Sequence, residues 1–188
     1  MSQDSGFDSG SFQPLITERV AAVGEYAAKI EGSPFNQSRI LKTAAFYVES
    51  GRFAEGAEII QAELVKRGVG FEYVPKHTVR RGTRVEDGRE TMILEDDFKD
   101  QHPARRLWSL VHRNMSLILQ RSGKREDLGF MGKLLGMDIA YADAARLGAQ
   151  RIQDGAERKS VQSAANDIEL MTRQKILAIK TGSLPKQK

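Results

Sequence analysis

Cysteine is absent from this 188-residue chain, which excludes disulfides, thiolate metal sites and cysteine nucleophiles and fits a reducing compartment. Histidine is nearly absent too. His77, His102 and His112 fall in different predicted elements and share no metal-ligand spacing. No HExxH helix, zinc pair or calcium loop occurs. No run approaches the roughly 18 apolar residues of a membrane span, and the N-terminus lacks a basic-then-apolar signal segment. The expectation is a protein with no membrane span, cofactor, metal site or catalytic set, located in the cytoplasm or in a virion assembled there.

A hydrophobic fraction of 40% and a charged fraction of 29% are those of a globular chain, long enough for one domain with a core. The net charge of +4 conceals an asymmetry. Residues 1–104 carry 13 Lys and Arg against 17 Asp and Glu, whereas residues 105–188 carry 16 against 8. A basic half beside an acidic half is complementary either to a polyanion or to the acidic half of a neighbouring copy.

The pattern is helical almost throughout. Residues 1–11 read as a flexible Ser/Gly/Asp tail. Residues 12–70 read as a three-helix region, broken at Gly32-Ser33-Pro34 and at Gly51-Arg52 and closed at Gly68 and Gly70. Residues 71–102 hold a hairpin arm and an acidic link. Residues 103–181 form a C-terminal helical region, opened by Pro103 at its first turn and ending in a long helix, before a basic tail at 182–188. Trp108, the only tryptophan, reads as core, and His112 on the same helix as a structural histidine. Gly129, Gly132 and Gly136 punctuate an apolar run, predicting a short or bent piece there. Helical periodicity then continues from Met137 nearly to Lys180, with Gly148 and Gly155 as weak points. The fold class is therefore mainly α, with one inserted β-hairpin arm and a long C-terminal helix.

Val79 to Glu95 is the β-like insert. Asp87-Gly88 between two strand-like runs is a strong signal for a type I′ turn, which needs positive φ at both central residues. That register sets Glu86 opposite Arg89, Arg84 opposite Thr91 and Arg80 opposite Glu95. A two-stranded ribbon is marginal alone in water, so its base packs on the helices or another molecule completes it. The predicted interaction residues of the arm are Arg80, Arg81, Arg84, Arg89, Met92 and Leu94. In the last helix, Val161, Ala164, Ile168 and Met171 recur at 3-4-3 spacing, a narrow coiled-coil-like stripe predicted to pack on a neighbouring subunit.

Two resemblances accompany this reading. The run Ala44-x-x-Tyr47-x-x-x-Gly51-Arg52-Phe53-x-x-Gly56-x-x-x-Ile60 resembles one tetratricopeptide-type helical hairpin. It departs from that pattern at Ile40 and Thr43, and no second copy follows. The resemblance implies a protein-binding surface. Asp87 followed by Asp97-Phe98-Lys99 resembles the paired carboxylates and lysine of restriction-type nucleases, which hold a hard metal ion. Asp87 is equally explained as a turn residue.

The leading functional expectation is a non-enzymatic assembly or adaptor subunit of a virion or of a secretion or transfer machine. Its partners are other copies of itself or other protein subunits. The alternative is a nucleic-acid-binding protein of architectural or packaging type, using the arginine-rich hairpin and the basic C-terminal helix. Against that alternative, Glu86, Asp87, Glu90 and Glu95 share the ribbon with the arginines.

Overall fold

The first described helix, α1 (Arg39–Glu49), directs Ile40, Leu41, Ala44, Ala45 and Val48 inward, the i, i+4 pattern of an amphipathic helix. These elements come from a computed structural model that describes residues 39–76, 82–121 and 128–181. The N-terminal tail, the helix predicted before Pro34, residues 77–81 with Arg80 and Arg81, and the basic tail lie outside the described residues.

Gly51, at φ 75°, turns the chain into α2 (Phe53–Lys66), which buries Phe53, Gly56, Ala57, Ile60 and Leu64. The helical hairpin read from Tyr47, Gly51 and Phe53 is thus present. A side chain at Gly56 would lie 2.6 Å from Cβ of Tyr47, so the contact between the two helices requires glycine there.

The sheet follows, with β1 (Gly70–Val74), β2 (Gly82–Glu86) and β3 (Arg89–Glu95) in the order β1-β3-β2. Asp87 and Gly88 both adopt positive φ, 49° and 76°. Arg84 lies opposite Thr91 and Glu86 opposite Arg89, as the turn chemistry predicts. The inserted hairpin is thus present, and a third strand joins it. β1 adds in parallel to β3, and the same face of β3 sends Met92 and Leu94 into the core, where neither is exposed. Three strands packed on a helix satisfy the stability requirement that an isolated ribbon fails.

A 3₁₀ turn (Asp96–Asp100) buries Phe98 and leads into α3 (Pro103–Arg121). At the start of α3 the backbone N–H of Ala104 donates to Nδ1 of His102 at 3.2 Å. The next helix, α4 (Leu128–Ala149), runs unbroken for 22 residues. The short or bent piece predicted from its glycines is corrected: each costs about 1 kcal/mol in helix propensity, but α4 is rich in apolar residues and packs against α1, α3 and the final helix. Gly148 is required by close packing, because a Cβ there would lie 1.9 Å from the Val48 carbonyl oxygen.

The last helix, α5 (Gly155–Thr181), is separated from α4 by residues 150–154. Its start is set by Asp154, whose Oδ1 accepts from the Glu157 N–H at 2.7 Å, an N-cap that ends the periodicity running on from Met137. At 27 residues α5 is about 40 Å long. Among the described residues no helix is long and apolar enough to cross a membrane.

Candidate interaction surface

The residues predicted to form interfaces divide between core and surface. Val161, Ala164 and Ile168 are buried and Met171 is packed against the same core. The stripe on α5 is therefore satisfied within the chain, chiefly on α4, which corrects its assignment to a neighbouring subunit. A stripe of small and medium residues fits the crowded face of a central helix as well as it fits a second copy. Met92 and Leu94 are likewise core residues. Of the arm arginines that are described, Arg84 and Arg89 remain at the surface.

Arg84 is not a free cation. Side chains alternate across a sheet, so Arg84, Thr91, Ile93 and Glu72 share the face turned away from the core. The Arg84 guanidinium reaches over the middle strand to Glu72 of β1 at 2.8 Å and also approaches Glu86 at 3.4 Å. Ile93 beneath is only 7% exposed. On the opposite face, Thr83 meets Ser116 of α3 at 3.0 Å, Arg113 donates to the Ile93 carbonyl and Arg121 pairs with Glu90 at 2.7 Å. These contacts fasten the sheet to α3.

Among the described residues, both outer strands keep one side unpaired. Only β3 has strands on both flanks, and no backbone hydrogen bond reaches β1 or β2 from another element among the described residues. The β1 edge carries no proline or bulge. Tyr73 at 41% exposure stands beside it, and Val65 of α2 is 57% exposed. Gln61, one turn before Val65, donates to the Tyr73 hydroxyl at 3.5 Å, which places this side of α2 next to the strand.

Charge is distributed unequally along β1. Lys66 and Arg67, just before its start, are exposed. At its other end the chain carries Glu95, Asp96, Asp97 and Asp100 against Lys76 and Lys99. Lys76 pairs with Asp97 at 2.9 Å. This contact, with the Gln101 side chain, holds the Asp97 carboxyl below the usual carboxylate range, and the same contact raises the Lys76 ammonium. Asp87 and Asp97 occupy opposite ends of β3, a separation of about 20 Å for a seven-residue strand. They do not share a cation.

Away from the sheet, the buried polar groups organise the helices. Asp138 on α4 is completely buried, and its Oδ1 accepts from Nε1 of Trp108 at 2.8 Å and meets Nδ1 of His112 at 2.7 Å. The Tyr141 hydroxyl donates to the Ala104 carbonyl at 2.7 Å, and burial pushes its ionisation well up. A shallow cleft of about 250 Å³ opens where Gln101, His102 and Arg105 meet Ser160, Ser163 and Asp167. Arg105 and Asp167 pair across it at 3.0 Å, and burial lowers the pKa of His102. Among the described residues no three acidic, histidine or cysteine side chains are grouped to hold a metal ion.

β1 is a strand that the hairpin pattern alone does not predict. Its signal was present in Gly70-Phe71-Glu72-Tyr73-Val74, an alternating run closed by Pro75. Compared with known proteins, the chain matches no family description, no curated protein and no solved structure.

Proposed function

We propose that the protein is a non-enzymatic structural or adaptor subunit of a larger assembly, of the kind found in virions and in secretion or transfer machines. The observation that supports this reading is a sheet fastened to α3 whose two outer strand edges are unpaired among the described residues. An unpaired edge is a template for another strand, and chains that do not use such an edge usually blunt it with bulges, prolines or inward charges. Among the described residues, the β1 edge has none of these devices. Leu147, Leu170 and Leu177 on α4 and α5, each more than half exposed, supply further apolar contact area for neighbouring subunits. The nucleic-acid reading draws less support, because Arg84 at the centre of the sheet is committed to Glu72 and Glu86.

Light scattering coupled to size exclusion, with absorbance at 260 and 280 nm, tests this function. The expected result is a defined oligomer, or a stable complex with a protein partner, free of nucleic acid. Nucleic acid that comes off only when salt is raised to about 500 mM contradicts it and favours the alternative.

A further inference from the structure

The outer edge of β1 has a polarity that selects its partner. Resting on the assembly reading above, we infer that the partner is a second copy of this chain, docked β1 to β1 in antiparallel fashion across a two-fold axis to give one six-stranded sheet.

Charge comes first. The start of β1 is flanked by Lys66 and Arg67, with Glu63 one turn back. Among the described residues, four carboxylates flank the end of β1 against two ammonium groups and the Arg106 guanidinium, 5.7 Å from the Phe98 ring. The five residues of β1 put these ends about 13 Å apart, more than a Debye length at physiological salt. Parallel addition of a like strand sets basic end on basic end and acidic end on acidic end. Antiparallel addition sets the basic end of each copy on the acidic end of the other, twice, as an isologous interface requires.

The pleat restricts the register. If the core faces of both copies lie on the same side of the joined sheet, paired residues must point the same way, so positions of equal parity pair. Centring the pair on Glu72 uses the whole strand. It sets Gly70 against Val74 and Phe71 against Tyr73, two aromatic cross-strand pairs on the core side, where Tyr73 is otherwise 41% exposed. Val65 of each copy lies alongside. On the outer side the two Glu72 carboxylates meet, an arrangement that is repulsive unless neutralised. Each already carries its own Arg84 guanidinium at 2.8 Å, so the centre of the interface is a network of two carboxylates and two guanidinium groups.

The test is a charge swap on the full chain, read by sedimentation velocity. Lys66→Glu with Arg67→Glu makes one variant, and Asp96→Lys with Asp100→Lys the other. All four positions are exposed, and circular dichroism confirms that each variant folds. The wild type is expected to be a dimer, each variant alone to dissociate at least about 10-fold more readily, and an equimolar mixture of the two to recover the dimer. An oligomer that ignores both reversals, or variants that fail to recombine, overturns the β1 pairing while leaving the assembly function standing. A wild-type monomer at about 100 µM overturns the pairing, and the assembly function then rests on a different protein partner.

Discussion

Arg84 on β2 and Glu72 on β1 are joined at 2.8 Å across the middle strand of the sheet, so an arginine of the hairpin neutralises the centre of a strand edge that is unpaired among the described residues. Both side chains are about two-fifths exposed, and an exposed pair of this kind contributes only about 0.2–1 kcal/mol. The Arg84→Gln variant is therefore expected to fold with a stability loss of about 0.5 kcal/mol and to dimerise at least about 10-fold more weakly. Chemical denaturation and sedimentation measure the two effects separately. Equal self-association of wild type and variant speaks against the proposed register.

Gly148 offers a test in which two effects have opposite signs. Helix propensity alone makes Gly148→Ala stabilising by about 1 kcal/mol. The Val48 carbonyl oxygen, 1.9 Å from the position of the new methyl group, is backbone and cannot move aside cheaply. The expected outcome is a loss of about 3 kcal/mol or more, seen as a lower denaturation midpoint. A neutral or stabilised variant means that α1 and α4 do not approach so closely.

Asp138 accepts from both Trp108 and His112 while fully buried. Asp138→Ala leaves two partly buried polar partners unsatisfied, each costing about 1–3 kcal/mol, and is expected to destabilise by about 3 kcal/mol. Asp138→Asn keeps one carbonyl acceptor and is expected to cost less. Denaturation followed by the single tryptophan reports both, and identical costs for the two variants contradict the pairing.

Glu169 and Tyr141 give opposite limbs to the pH dependence. Hydrogen bonding to Arg146, then to Arg173, holds the Glu169 carboxyl below its usual value. Its contribution is present above the ordinary carboxylate range near 4.5 and is lost as pH falls through the lower folded value. Tyr141 is raised by burial. Its contribution is complete below the ordinary phenol value of 10.0 and is lost as pH rises beyond it. Thermal melts across pH should show both limbs. Replacing Glu169 by Gln should flatten the acid limb, and an unchanged limb contradicts its assignment.

The local chemistry of the fold was legible because it is written in short spacings. Asp87-Gly88, Gly51 and Pro103 each dictate backbone geometry within a few residues, and each stands where the pattern put it. Tertiary facts were not legible in the same way. The glycines of α4 predict a break, yet a helix packed against three others tolerates them. The stripe Val161-Ala164-Ile168-Met171 identifies a face to be covered but not which helix covers it. For the surface, Arg84 could be read as exposed, but its commitment to Glu72 depends on β1 joining β3 in parallel, a pairing between segments about 20 residues apart. The polarity of the β1 edge likewise exists only once the 3₁₀ turn is folded beside Val74.

Sedimentation equilibrium of the untagged full chain, over a concentration range and at low and high salt, tests the central claim most directly. The account predicts a species of twice the 20.9 kDa chain mass, free of nucleic acid, that dissociates as salt rises and as Arg84 is removed. A mass of 20.9 kDa under every condition contradicts it.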